Sequence, residues 1–215
     1  MNSKVRLLSV VFSLLVLGGC ATSRSTLDIA TPVSGPSAQT NGKDVYINAV
    51  KDLRVFEAKP SSPNTPSLDD SEDQSDKIKA RAVGRKRNGF GKALGDILLP
   101  EGKTVESLTV ASIHKAFIDR GYRVVSDKSQ ITSSTYVIDA DITKFWSWMN
   151  PGFWALTLSA EIATAITIKS PTGTERQTVS VKAADSFQTG AEDNWIEVIN
   201  KALILYVDDL NRKLQ

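Results

Sequence analysis

The sequence predicts an α+β domain in which a mainly antiparallel sheet carries two amphipathic helices packed on one face. Two long runs of alternating apolar residues, 136–148 and 154–168, flank a turn sequence and indicate a hairpin. Apolar residues at helical spacing indicate one helix over 105–120 and another from Thr189 to Leu214. Because each helix has one apolar side, both helices can bury that side against the same sheet.

Residues 1–19 have the form of a signal peptide. Lys4 and Arg6 precede an apolar run over 7–17, which is too short to cross a membrane and is followed by small residues. The segment Leu17-Gly18-Gly19-Cys20 resembles the lipobox of bacterial lipoproteins. An ordinary secretory signal with an incidental cysteine is the alternative interpretation.

The lipobox resemblance implies that Cys20 is the lipidation site of a periplasmic lipoprotein. In that family the cysteine sulfur accepts a diacylglyceryl group, the chain is cut before the cysteine, and further acylation, typically with palmitate, follows. Ala21 replaces the aspartate associated with inner-membrane retention, so the resemblance implies the outer membrane, facing the periplasm. Cys20 is the one cysteine of the chain, so no intramolecular disulfide can form.

The composition divides the rest of the chain into a tether and one domain. Residues 20–43 are rich in Ser, Thr, Pro and Gly, which predicts a lipidated cysteine followed by a flexible tether. Residues 44–215 form a single predicted α+β domain. Prolines and then acidic residues over 57–77 predict a disordered or loop insertion, and their spacing does not match a calcium-binding loop.

The elements before the hairpin alternate between strand and helix patterns. Residues 44–50 alternate as a half-buried strand, and 79–87 forms a second predicted strand. Thr104 is the expected N-cap of the first helix, and Gly121 stands where a left-handed residue ends it. A short strand over 122–125 follows.

The hairpin loop is predicted to contain an odd number of residues. A three-residue loop over 150–152 pairs Trp148 with Trp154 and Trp146 with Leu156, which puts both apolar sets on one core-facing side. A third strand over 178–187 follows the turn Ser170-Pro171-Thr172-Gly173.

The last helix has the clearest pattern. Thr189-Gly190-Ala191-Glu192 is the predicted capping box. The apolar stripe consists of Trp195, Ile199, Ala202, Leu203, Tyr206, Leu210 and Leu214. Charged residues occupy the opposite side, so the stripe should face the core.

The charge balance argues against nucleic acid as a partner. The chain has 26 basic and 24 acidic residues, and removal of residues 1–19 takes away Lys4 and Arg6. The mature chain is therefore neutral, and it lacks the sustained basic face that phosphate binding requires.

Two surface regions are candidates for interaction. Arg85, Lys86 and Arg87 stand beside several glycines and could bind an anionic headgroup or an acidic partner, or form a solvated strand end. The aromatic hairpin over 145–154 could pack in the core or contact a partner. The alternation leaves Phe145, Met149 and Phe153 unexplained, so these are its candidate interaction residues.

The residues do not predict an enzyme, a metal site or a cofactor. His114 is the single histidine, and no cysteine or acidic group at metal-ligand spacing accompanies it. Asp139 and Asp141 share a strand side and are the one carboxylate pair that a hydrolase could use, but that side is the solvent side by alternation.

The stretches 84–102 and 145–156, with the lipobox and the final amphipathic helix, resemble small uncharacterised bacterial lipoproteins of the YajG type. The resemblance covers most of residues 43–214, and the acidic residues around 68–76 depart from it. It implies a mixed α/β domain and no reaction, and it carries over Cys20 alone as a functional residue.

These observations lead to two hypotheses of function. The first is a lipid-anchored envelope lipoprotein that acts as a non-enzymatic accessory or binding module for an envelope protein or component. The second is a lipid- or glycan-binding carrier that uses the aromatic hairpin over 145–154.

Overall fold

The computed structural model describes residues 24–35, 40–88 and 90–214, so the predicted signal peptide and Cys20 lie outside the described residues. Within these residues the strands are β1 (Ser25–Thr26), β2 (Asp44–Asp52), β3 (Ala82–Arg87), β4 (Ala93–Leu98), β5 (Arg123–Val124), β6 (Tyr136–Pro151), β7 (Leu156–Ser170) and β8 (Gly173–Phe187). The helices are α1 (Asp76–Arg81), α2 (Val105–Asp119) and α3 (Glu192–Lys213). The strand predicted from Lys79 therefore begins only at Ala82.

The domain is α+β as predicted, and its sheet is mixed: its longest ladders are antiparallel, but it also contains four parallel strand pairs. The long strand β6 pairs antiparallel with β7, which pairs antiparallel with β8. The other side of β6 pairs parallel with β2 and then with β3. β5 pairs parallel with β2. On the other side, β4 pairs antiparallel with β3, and β1 pairs parallel with β4. Alternation shows which residues share a side but not the strand direction, so the parallel pairs were not predictable from it.

The helices α2 and α3 pack their apolar sides against one face of the sheet. The buried residues between the helices and this face form the larger of two hydrophobic clusters, called the main core below. Thr104 caps α2 as predicted, in a capping box with Ser107, and Gly121 adopts a φ of 80° just after the helix. The predicted apolar stripe of α3 is buried throughout. The capping box predicted at Thr189 is wrong, because Ala191 is the N-cap and makes no side-chain hydrogen bond.

A β-bulge in β6 changes which side chains face the helices. Before the bulge Ile138 pairs with Ile168, and both are buried in the main core. The register then shifts between Ile142 and Lys144. One extra residue in a strand turns every later side chain to the opposite side. Phe145 consequently enters the main core, although the regular alternation of β6 places even-numbered residues there.

The loop between β6 and β7 has four residues, so the predicted odd loop is wrong. Pro151 pairs with Leu156, and the loop spans 152–155. Trp148 pairs with Ser159 rather than with Trp154. The prediction assumed a regular ladder, in which an odd loop keeps both apolar sets on one side of the sheet. The bulge reverses the side that each later residue of β6 faces, so an even loop is needed instead.

The insertion packs as a second layer on the sheet face opposite the helices. The buried cluster between the insertion and the sheet consists of Leu68, Ala82, Leu98, Trp146 and Trp148, with Phe56 and Ile78 packed against it. The indole N–H of Trp146 donates a hydrogen bond to the Pro63 carbonyl (3.2 Å), and the rings of Trp146 and Phe56 meet edge to face. The insertion is therefore an ordered loop that covers two tryptophans.

Arg54 fills the gap between β2 and β3 along the edge of β6. Its guanidinium donates from Nε (2.8 Å) and Nη2 (2.7 Å) to the two carboxylate oxygens of Asp52. It also donates to the carbonyls of Lys79 (2.7 Å), Ala82 (2.6 Å) and Phe145 (2.9 Å). These bonds use all five N–H donors of the side chain. Arg54 therefore links β2 and β3, which pair with successive parts of the same edge of β6.

Residues 24–35 belong to the domain, which corrects the prediction that they form a flexible tether. Ser25 pairs with Ile97 in the parallel β1–β4 ladder. Leu27 and Ile29 are buried in the main core. The segment is polar on average, so its composition predicts a flexible coil although Leu27 and Ile29 alternate as in a strand.

Candidate functional site

The side chains of the predicted basic cluster form hydrogen bonds with other parts of the fold. Arg85 is only 7% exposed, so the interaction role predicted for it is replaced by a structural one. Lys86 donates a hydrogen bond to the Ser25 hydroxyl (2.7 Å). Arg87 donates to the Ser67 hydroxyl (3.0 Å). Burial, and then the charge of neighbouring Arg85, lowers the pKa of Arg87.

Asp96 is the fully buried centre of an ionic network beneath this cluster. Its carboxylate accepts a hydrogen bond from Arg24 (2.9 Å) and another from the backbone N–H of Asp69 (3.1 Å). The Nε atom of Arg85 lies 3.4 Å from the same carboxylate, and its Nη1 donates to the Leu68 carbonyl (2.7 Å). The network joins the N-terminal segment, the insertion and the β3–β4 hairpin.

The structure separates the residues of the aromatic hairpin into buried and exposed sets. Phe145 is 2% exposed in the main core, and Met149 packs partly buried against that core, so neither forms the predicted interaction surface. Phe153 is 90% exposed, and Trp154 is 85% exposed. The prediction that Trp154 faces the core is therefore wrong, because it lies in the loop and not in β7.

A third exposed aromatic residue lies at the same end of the sheet. Phe90, in the β3–β4 hairpin loop, is 98% exposed. β3 runs parallel to β6, and Gly84 pairs with Ser147. The hairpin loops that follow these two strands consequently turn at the same end. We call Phe90, Phe153 and Trp154 together the aromatic edge.

The two aromatic rings of the β6–β7 loop are exposed to solvent and pack on each other. The N–H of Gly152 donates a hydrogen bond to the Ala155 carbonyl (2.9 Å) and closes the loop. The rings of Phe153 and Trp154 pack edge to face with centroids 4.8 Å apart. A pair of large rings packed on each other but not on the core presents a contiguous apolar surface.

The charges around the aromatic edge are mixed. Lys92 is exposed beside Phe90 and makes no ion pair with any described residue. Glu192 and Asp193 are exposed at the start of α3, which follows β8 at the same end of the sheet. The edge therefore combines exposed aromatic rings with charges of both signs.

One member of the carboxylate pair considered for hydrolysis, Asp139, is already hydrogen-bonded on the surface. Asp139 accepts from Lys169 (2.8 Å) and Asn48 (2.6 Å), and these hydrogen bonds hold its pKa below the usual range. The His114 ring lies 3.3 Å from the Ser34 hydroxyl. The described part of the chain contains no cluster of three or more His, Cys, Asp or Glu that could hold a metal ion.

An apolar groove of about 410 Å³ lies between α2, α3 and the N-terminal segment. Its lining includes Ala30, Pro32, Lys115, Leu203, Ile204 and Val207. Ile204 is 62% exposed beside it. No helix among the described residues is long and apolar enough to span a membrane.

No protein-family model and no curated protein matches the chain. A crystal structure described as an uncharacterized protein is similar at 10% identity and a TM-score of 0.45, over 91% of this chain and 99% of that chain. A crystal structure of a neuraminyllactose-binding hemagglutinin homolog from Helicobacter pylori is similar at 11% identity and a TM-score of 0.36, over 88% of this chain and 94% of that chain. At these identities and TM-scores no function is transferred from either protein.

Proposed function

We propose that this protein is a lipoprotein of the outer membrane, anchored through acyl chains on Cys20, with a periplasmic domain that acts as a non-enzymatic accessory or binding module. The observation that carries the proposal is the lipobox-like segment Leu17-Gly18-Gly19-Cys20 at the end of a signal-peptide pattern. Several acyl chains hold a protein on a membrane far more firmly than the reversible binding of one chain.

The position of the first strand supports a role close to the membrane surface. Arg24 already binds the buried Asp96, and it stands only four positions after Cys20 in the sequence. Four residues span at most about 14 Å. A domain held this closely can bring an envelope protein or component to the membrane but cannot range far into the periplasm.

The carrier hypothesis has less support from the hairpin. A carrier needs an apolar cavity, whereas Trp146 and Trp148 are packed beneath the insertion. Trp154 is exposed in the β6–β7 loop. The groove beside Ile204 is lined by other elements and does not include the hairpin.

The anchor is tested by replacing Cys20 with alanine in cells fed a labelled fatty acid. We expect labelling of the protein to be lost, because alanine has no sulfur to accept the acyl group. The uncleaved precursor should accumulate, or the protein should be released from membranes. Labelling that persists in C20A contradicts the proposed anchor.

The binding role is tested by affinity capture from crosslinked cells that express the lipidated protein. The control is a lipoprotein with the same signal and anchor but an unrelated domain. We expect at least one envelope component to be enriched with the native domain. Recovery equal to that of the control contradicts a binding module.

A further inference from the structure

We propose that the aromatic edge, Phe90, Phe153 and Trp154, inserts into the lipid–water interface of the membrane that holds Cys20. The strands of the sheet then stand with this end against the lipid. This inference rests on the proposed acylation of Cys20 and adds an orientation and a contact surface to it.

The direction of β1 points the lipid anchor toward the aromatic edge. β1 runs parallel to β4, and Ser25 pairs with Ile97. β4 runs away from the hairpin loop that carries Phe90, since it pairs antiparallel with β3. The chain therefore enters β1 from the same end of the sheet at which the aromatic rings are exposed.

The length of chain before β1 selects this end of the sheet. The four residues from Ile97 back to Ala93 cover about 13 Å of strand, and the five residues from Ser25 back to Cys20 span at most about 17 Å. An acylated Cys20 can thus lie level with the hairpin loops. The strand pairing places Ser25 level with Ala160 of β7. The opposite end is out of reach, because the ten residues from Ala160 to Ser170 cover about 33 Å.

The chemistry of the edge fits the interface of a bilayer. Tryptophan and other aromatic side chains favour the boundary between headgroups and hydrocarbon. The three rings are 85–98% exposed, so they need no rearrangement of the core to enter it. Lys92 is offset by Glu192 and Asp193 at the same end, so zwitterionic lipid should suffice.

Trp154 provides a direct probe of this contact. The other three tryptophans, Trp146, Trp148 and Trp195, are at most 4% exposed. We would reconstitute the acylated mature protein into phosphatidylcholine vesicles with and without brominated chains and measure tryptophan fluorescence. We expect brominated lipid to quench a fraction on the order of one tryptophan in four, and the lipid to shield that fraction from aqueous acrylamide.

Three variants separate insertion from mere proximity. W154F should lose the lipid-quenched fraction, and F90S/F153S should reduce quenching at least twofold by weakening insertion. I204S should quench as the parent does, because Ile204 is exposed on α3 about 18 Å along the helix from its first residue. Circular dichroism of each variant checks that the fold is retained.

The outcomes distinguish the edge from the anchor. Protein that sediments with the vesicles but keeps Trp154 unquenched by bromolipid overturns the inserted edge and leaves the anchor intact. If Trp154 is then also shielded from acrylamide, a protein contact or a second copy covers the edge instead. Protein that fails to stay with the vesicles overturns the anchor itself and the inference with it.

Discussion

Gly84 sets how closely β3 approaches β6. An ideal Cβ at this position would lie 2.8 Å from the carbonyl oxygen of Ser147 and still closer to its hydroxyl oxygen. That hydroxyl donates to the Val83 carbonyl (2.7 Å) at the one residue pair where the two strands are registered. The glycine is therefore required by close packing of two backbones, not by an unusual φ.

We expect Gly84→Ala to lower the free energy of unfolding by about 1–3 kcal/mol, because overpacking against a backbone carbonyl forces the strands apart. The matched control is Gly35→Ala, since a Cβ at Gly35 meets nothing within 4 Å. The control should change stability by no more than about 0.5 kcal/mol. Urea unfolding of both variants measures the difference, and equal midpoints would contradict the close approach.

At the scale of elements, the bulge in β6 determines which of its residues join each of the two buried clusters. Phe145 enters the main core beneath the helices, whereas Trp146 is 1% exposed beneath the insertion. The insertion packs there on Trp146 and Trp148. Lys182 of β8 makes a cation–π contact with Trp148, with its Nζ 5.1 Å from the ring centroid. Without these rings the insertion would lose most of its apolar partners.

We expect Trp146→Ala to destabilise the protein by about 3–5 kcal/mol and to increase protease cleavage within residues 57–77. Trp154→Ala in the same hairpin is the control and should stay within about 0.5 kcal/mol of the parent, because its ring is solvent-exposed. Thermal unfolding and limited proteolysis report the two effects. Similar losses in both variants would show that burial does not separate these tryptophans.

Local patterns predicted those elements whose determinants are close in sequence. Thr104 and Gly121 delimit α2, and the stripe containing Trp195 predicted the buried side of α3. β4 was not predicted, because Gly95 and the buried Asp96 interrupt its apolar pattern. Asp96 is tolerated there only because Arg24 and Arg85, distant in sequence, neutralise it.

The candidate surface was only partly predictable for the same reason. Phe153 was identified because alternation did not account for it, and it is exposed. Trp154 and Phe90 were not identified, since their exposure depends on the loop length and on the parallel pairing of β3 with β6. The lipidation of Cys20 stays a prediction from the motif.

At the scale of the whole molecule, the first residues that the structure describes are fixed to the core. Arg24 binds Asp96, and Leu27 and Ile29 are buried within the next five residues. Other charged pairs fasten neighbouring strands on the surface, including Asp44 with Arg123 and Asp139 with Lys169.

These surface pairs predict a loss of stability in acid. The Arg123 hydrogen bond holds the pKa of Asp44 below its usual range, and hydrogen bonds from Lys169 and Asn48 do the same for Asp139. A carboxyl group with a lower pKa in the folded state stabilises the fold above its unfolded pKa of about 3.9. That stabilisation is lost as the pH falls through the folded pKa.

We therefore expect the free energy of unfolding to decrease between pH 5 and pH 3 in urea titrations. Asp139→Asn should cost about 0.2–1 kcal/mol at pH 7, discounted for the solvent exposure of the pair, and its decline in acid should be shallower than the parent's. Lys169→Gln should flatten the decline in the same way while leaving the carboxyl group present. Parallel curves for the parent and both variants would show that Asp139 titrates alike in the folded and unfolded chain.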